Sequence, residues 1–149
     1  MTETHMQEAV KRINEARELG WTELDLSCLE IQEIPEELLE LAQILCDLYL
    51  SDTDISDLSP LANLTKLERL YLGYTKASDL SPLANLTSLE CLSFWRTNVS
   101  DISPLAHLTS LKRIDLLNCP LVKSSENIQA LKKLSENGCK IYGVEEFMK

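Results

Sequence analysis

Asp57, Asp79 and Asp101 stand 22 residues apart, and a column of carboxylates at a fixed interval is one pattern in this chain that chemistry could use. Three aligned carboxylates would suit calcium. A calcium loop, however, packs its oxygen ligands into about 12 residues, and the neighbours here are largely Ser, Pro and Leu. Each aspartate instead stands two residues before a Ser of a Ser-Pro pair, where its carboxylate is placed to accept backbone N–H groups of a starting turn. The five cysteines, Cys28, Cys46, Cys91, Cys119 and Cys139, are odd in number, scattered and free of C-x-x-C, which argues against a disulfide framework or a structural zinc site. The only histidines, His5 and His107, neighbour no cysteine at a metal-binding spacing. Cys91 has acids and Arg113 beside it on its face but no histidine near in sequence to act as its base. With four glycines and no G-x-x-x-x-G-K-(S/T), the chain also has no phosphate loop. The expectation is a protein without catalytic residues, cofactor or metal.

The aspartates belong to a larger pattern. Leu45-Cys-Asp-Leu48-Tyr-Leu50, Leu67-Glu-Arg-Leu70-Tyr-Leu72 and Leu89-Glu-Cys-Leu92-Ser-Phe94 open three copies of one unit. Each continues through a threonine (Thr53, Thr75, Thr97) into Ser-Asp-(Leu/Ile)-Ser-Pro-Leu-Ala-x-Leu-Thr, and Leu111-Lys-Arg-Ile114-Asp-Leu116 starts a fourth copy in phase. L-x-x-L-x-L spacing at a period between about 20 and 29 residues is the signature of a leucine-rich repeat solenoid. The predicted fold is α/β: about six short parallel strands on the concave side, an N-terminal capping helix and a C-terminal helix-strand cap.

In order, residues 1–20 form the capping helix, running from about 4 to 19. Thr4 and Gln7 have the spacing of a capping box. Met6, Val10, Ile13 and Ala16 or Arg17 fall at helical spacing and mark its thin apolar face, and Gly20 ends it. Residues 21–44 are an atypical first repeat. Its strand is Trp21 to Ser27, and a helical turn follows Pro35 from Glu36 to Leu45. Residues 45–110 are three regular 22-residue repeats, in which Ser-Pro breaks the strand and starts a turn or short helix. Residues 111–149 are the last repeat and cap. A helix spans Ser124 to Asn137, with Ile128, Leu131 and Leu134 as its apolar positions. The strand Cys139–Tyr142 follows, with Cys139 and Ile141 expected in the core positions of Ile114 and Leu116. The tail from Val144 is a short cap or disordered. All of this reads as one domain, 1–149. Thr53, Thr75, Thr97 and Cys119 align where the strand bends, as small side chains expected to bond neighbouring backbone along the stack. Cys119 is thus a substitute for Thr and not a nucleophile. The Asn-x-Thr/Ser matches at Asn63, Asn85 and Asn98 follow from the period rather than from glycosylation.

Hydrophobic residues make up 44% of the 149, enough for a continuous core, and no apolar run reaches the length of a membrane helix. The polar, acidic N-terminus lacks the features of a secretory signal, so the expected location is cytoplasmic. The net charge is −10, and −8 of it falls in residues 1–44. Phosphate backbones and anionic membranes need a basic face, so neither nucleic acid nor membrane is an expected partner. A monomer is expected over a homo-oligomer.

Strand side chains alternate, so the residues between core leucines face the concave surface. The columns there are Glu23, Asp47, Arg69, Cys91 and Arg113; Asp25, Tyr49, Tyr71, Ser93 and Asp115; Ser27, Ser51, Gly73, Trp95 and Leu117 with Tyr142; Cys28, Asp52, Tyr74, Arg96 and Asn118; and, on the rim, Thr22, Cys46, Glu68, Glu90 and Lys112. Trp, Tyr and Arg dominate interface hot spots, and this surface holds Trp95 and all four tyrosines of the chain. The candidate partner-binding residues are therefore Asp47, Tyr49, Asp52, Arg69, Tyr71, Tyr74, Trp95, Arg96, Arg113, Leu117 and Tyr142. The alternative is self-contact, with the chain's own tail or with a second copy.

The run Ile55-Ser-Asp-Leu-Ser-Pro-Leu-Ala-Asn-Leu-Thr-Lys-Leu-Glu-Arg-Leu-Tyr-Leu72 resembles the 22-residue repeats of bacterial leucine-rich repeat proteins, including the internalins. Ala16 to Ser27 is similar to the start of the repeat arrays in Roco-type proteins. Together the resemblances cover roughly residues 9 to 143. They imply binding of another protein through the concave sheet. No secretion signal or immunoglobulin-like domain of internalins, GTPase of Roco proteins or catalytic domain of repeat-bearing ubiquitin ligases is expected from these residues, so none of those activities is carried over. The expected function is a non-enzymatic protein–protein interaction module, and a partner with an apolar or aromatic centre and a basic flank would fit it. Alternatives are an inhibitor or immunity-type protein for a basic toxin or enzyme, and a secreted host-binding effector or regulatory subunit.

Overall fold

The computed structural model describes residues 2–145 and 147. Helix α1 spans Thr2–Leu19. Strands β1 (Glu23–Asp25), β2 (Asp47–Tyr49), β3 (Arg69–Tyr71), β4 (Cys91–Ser93), β5 (Arg113–Asp115) and β6 (Lys140–Tyr142) follow, with helix α2 (Ser125–Glu136) between the last two. The six strands form one parallel sheet in chain order, with Leu24, Leu48, Leu70, Leu92, Ile114 and Ile141 in register. The solenoid architecture is thus as the 22-residue period predicts.

Each regular unit is built the same way because its residues are the same. The inward leucine of the strand is followed by a second buried ladder, Leu26, Leu50, Leu72, Phe94 and Leu116. Ser-Pro-Leu then forms a 3-10 turn at Ser59–Leu61, Ser81–Leu83 and Ser103–Leu105, with proline in the first turn, where no N–H is missed. Further ladders close the unit: Leu58, Leu80 and Ile102; Leu61, Leu83 and Leu105; Leu64, Leu86 and Leu108. Each fully buried leucine contributes about 2 kcal/mol of apolar transfer, and the identical spacing stacks these contributions into one continuous core.

The polar residues of the period hold its corners. Asp57, Asp79 and Asp101 each accept the backbone N–H of the serine two residues on, at 2.9 Å. The first two also accept that serine's hydroxyl. These bonds from Ser59 and Ser81 hold both carboxyls below the usual aspartate range. The aspartate column therefore serves the turns. Thr53, Thr75 and Thr97 are buried, and each donates its hydroxyl to the carbonyl three residues back, at 2.8 Å. These bonds lie within one repeat, not along the stack as expected. A short Thr side chain reaches its own turn first. Only Cys119 of that column reaches across to a backbone carbonyl of the neighbouring repeat, from Sγ to Phe94 O at 3.0 Å.

Several local expectations need correction. Helix α1 starts at Thr2, so Thr4 lies inside it and is not its cap. Its core face is Ala9, Ile13 and Ala16 with Met6 partly buried, while Val10 lies to one side. Gly20 ends the helix at φ +68°, as expected. The turn after Pro35 is shorter, Glu36–Leu41. In α2, Ile128 is exposed, and the buried positions are Asn127, Ala130, Leu131 and Leu134, one helical stripe rotated from the predicted one.

The register of β6 also differs. Ile141 pairs with Ile114, and Tyr142 with Asp115. The return through α2 is two residues longer than expected, which places Cys139 just before the strand, still buried. Gly143 then passes so close to the preceding repeat that a Cβ on it would stand 2.4 Å from Leu117 N. Of the expected terminal cap, Val144 is buried and Phe147 packs on the core; the expectation for Glu146, Met148 and Lys149 lies outside the described residues.

Candidate functional site

The ladder of the sheet does not stop at the strands. Leu26, Leu50, Leu72, Phe94 and Leu116 donate their N–H to the next unit at 2.7–3.1 Å. Cys28, Asp52, Tyr74 and Arg96 then do the same at 2.8–3.0 Å. To make that last bond and turn into the loop, the chain adopts a left-handed conformation at each of these four residues and at Asn118, with φ between +52° and +63°. Asp and Asn tolerate it, whereas Tyr74 and Arg96 hold it at a cost of about 1 kcal/mol each. The strain puts two large side chains at the exit edge of the open face.

On that face, most of the candidate residues form pairs. Tyr49 and Tyr71 stack with ring centroids 4.7 Å apart and planes 5° from parallel, because adjacent parallel strands bring equivalent positions to about 4.8 Å. Asp47, two positions before Tyr49, accepts from Arg69 Nη1 at 3.0 Å. Asp47 Oδ1 is buried without a donor among the described residues. Tyr74 and Trp95 form a tilted pair at 6.0 Å and 43°. The guanidinium of Arg113 lies over the Tyr142 ring, 4.5 Å from its centroid.

The register of β6 changes one adjacency. Tyr142 belongs to the column of Tyr49 and Tyr71, not to that of Trp95 and Leu117. Leu117 is 52% exposed, and the Trp95 indole lies over Gly73 on its other side. The expected single column of Trp95, Leu117 and Tyr142 is therefore replaced by separate pairs. Asp52, Tyr74 and Arg96 meet along the exit edge, lining a groove of about 370 Å³ with Thr53, Thr75 and the Asp54–Lys76 ion pair. Neither that groove nor the dependence of Trp95 on Gly73 follows from the repeat spacing. The absent side chain at Gly73, where the neighbouring units carry Ser51 and Trp95, is the one available signal.

Burial shapes the titration of the face. It pushes the Tyr49 phenol up, helped by the charges of Glu23 and Asp47. It pushes Tyr71 up to about 12, with Cys91 adding to the effect. Burial likewise raises the thiols of Cys119 and, to about 11, Cys139. These two cysteines are packing side chains with little thiolate at neutral pH. Among the described residues, no group of three His, Cys, Asp or Glu gathers as a metal ion would need, and no helix is long and apolar enough to cross a membrane.

A parallel sheet of one-strand units, each closed by a 3-10 or helical return, with ladders of leucine inside and variable side chains outside, defines a leucine-rich repeat solenoid. The chain belongs to the leucine-rich repeat family: the family description "Leucine Rich repeats (2 copies)" fits residues 45–85 and 87–135. Among solved structures it is similar to an internalin (inlF) of Listeria monocytogenes, with 29% identity and a TM-score of 0.67 over 89% of this chain and 41% of that one. An internalin C2 (inlC2) of the same species is 32% identical, with a TM-score of 0.62 over 81% and 49%. A leucine-rich repeat protein of Leptospira interrogans is 25% identical, with a TM-score of 0.69 over 84% and 33%. The chain thus spans less than half the length of these relatives. No curated protein sequence matches it.

Proposed function

We propose that this chain is a non-catalytic binding module that captures a protein partner on the open, concave face of its sheet. The observation that carries this is the grouping of aromatic pairs on that face: Tyr49 with Tyr71, Tyr74 with Trp95, and Tyr142 under Arg113. These residues occupy the positions at which the repeats differ, while the shared residues fill the core and the corners. A solenoid gains no core burial from an outward Tyr or Trp. A partner gains rigid apolar area there, with few rotatable bonds to fix. Membership of the leucine-rich repeat family supports the same reading.

The test replaces Tyr71 and Trp95 together by Ala. Both point away from the core, so the fold is retained, as circular dichroism will verify. A partner identified by affinity capture from the native cell and then purified should bind the double variant at least about tenfold more weakly, since two hot-spot aromatics each contribute more than about 1 kcal/mol. Unchanged affinity rules the concave face out.

A further inference from the structure

The open face is divided by charge. Its β1 and β2 positions carry Glu23, Asp25, Asp47 and Asp52 and no base. Its β3 to β6 positions and their edges carry Arg69, Arg96, Lys112, Arg113 and Lys140 against Asp115 and, at the rim, Glu68 and Glu90, the last paired with Lys112. The acids Asp25 and Asp115 are turned into their own loops, accepting the N–H of Ser27 and Leu117 at 2.8 and 3.0 Å. The division therefore survives local pairing: acidic at the N-terminal end, basic at the other.

The basic half has a built feature. Arg69 and Arg113 pair in register with Cys91 from either side, about 10 Å apart at the backbone. Between them β4 presents the short side chains of Cys91 and Ser93, and the two guanidinia turn outward from it, Arg69 to Asp47 on β2 and Arg113 to Tyr142 on β6. Arg69 uses one N–H on Asp47. Arg113 is held by its flat face against Tyr142, which leaves the edge of the fork free. Among the described residues, no carboxylate lies within ion-pair distance of Arg113, and its side chain donates no hydrogen bond. A planar fork fixed by stacking, with its donors unspent, is pre-organised for a carboxylate.

We infer that the partner segment is itself bipolar. It places an acidic side chain on the edge of the Arg113 fork and a basic one over Glu23 and Asp47, with an apolar centre on the Tyr49–Tyr71 stack between them. The two charge sites lie about 17 Å apart, from β5 to the middle of β1 and β2. This rests on the concave-face reading above and adds the charge order of the partner to it.

Two heptapeptides of identical composition test this on the intact chain by fluorescence anisotropy: Glu-Glu-Trp-Ser-Trp-Lys-Lys and Glu-Lys-Trp-Ser-Trp-Glu-Lys. The separated-charge peptide should bind about tenfold tighter, and its advantage should shrink as salt rises. Arg69→Gln with Arg113→Gln should abolish that advantage, and Tyr71→Ala with Trp95→Ala should weaken both peptides alike. Equal affinities for the unaltered protein overturn the inference, as does an advantage that outlasts the loss of both arginines. Sedimentation as a dimer that Arg113→Gln dissociates also overturns it, because a second copy then occupies the face. If charge order has no effect while the aromatic variants still weaken binding, the concave-face reading stands without this addition. If the aromatic variants change nothing, that reading falls as well.

Discussion

The indole of Trp95 fills the space in front of Gly73: a Cβ on that glycine would stand 2.0 Å from Trp95 Nε1. Gly73 does not occupy the left-handed region, so its backbone would accept an L side chain, and the indole stands in its place. The glycine and the tryptophan are one device spread over two repeats.

Gly73→Ala should therefore evict Trp95 from its place beside Tyr74 while leaving the sheet intact. Alanine removes unfolded-chain entropy, about 0.4–1 kcal/mol in favour of folding, and lost indole packing offsets it, so net stability should change by less than about 1 kcal/mol. In a Trp21→Phe background, emission from Trp95 should shift to the red and quench more easily with acrylamide. An unchanged spectrum would mean that the indole does not rest on Gly73.

Arg96 should be a stabilising site when replaced. Its φ is +52°, and asparagine, as in Asn118 at the equivalent position, accepts that conformation more readily. Arg96→Asn should raise stability by about 1 kcal/mol, seen as a higher urea midpoint at unchanged slope. The same variant removes one of the bases of the face and should weaken the separated-charge peptide. Such a trade of stability for a placed side chain is expected where backbone strain serves a site. A midpoint that stays put or falls would remove the strain argument.

The repeats make the core legible because leucine at fixed spacing has one efficient burial, and the register of β1 to β5 follows directly. The cap is less legible. Between Leu116 and Lys140 no repeat fixes the loop length, so spacing alone sets β6 two residues out of register and Tyr142 one column away from its place. Helix α2 comes out rotated because a buried stripe is expected to be wholly apolar, and Asn127 breaks that rule. At the site, alternation fixes the columns of β1 to β5 correctly. Pairing angles, the Gly73 contact and the strained exits depend on χ and φ angles that spacing does not encode.

Asn127 is 1% exposed, yet each of its polar atoms has a partner. Its Oδ1 accepts from Ile102 N at 2.8 Å, and its Nδ2 donates to Ser100 O at 2.8 Å and Val122 O at 2.7 Å. It ties the cap helix to the last regular turn. Asn127→Ala leaves a buried N–H and two carbonyls without partners, at about 1–3 kcal/mol for an orphaned group, and should destabilise the chain by about 3 kcal/mol in total. Leu134→Ala in the same helix should cost about as much through a cavity. A loss below about 1 kcal/mol for Asn127→Ala would show that water replaces all three bonds.

The Tyr49–Tyr71 stack gives the open face a pH limit on the alkaline side. Tyr71 is pushed up to about 12, by burial first and Cys91 second, against about 10 for a free tyrosine. The neutral phenol is thus favoured in the folded chain. The corresponding stability is fully present below about pH 10 and is lost as pH rises towards about 12, where the unfolded chain has already released its proton. Absorbance at the phenolate band should show a late-ionising phenol, and Tyr71→Phe should delete that step. Tyr49 is raised by burial and by the charges of Glu23 and Asp47, so it should keep its own step when Tyr71 becomes Phe. If the late step survives in Tyr71→Phe, another phenol carries it, and the stack does not protect Tyr71.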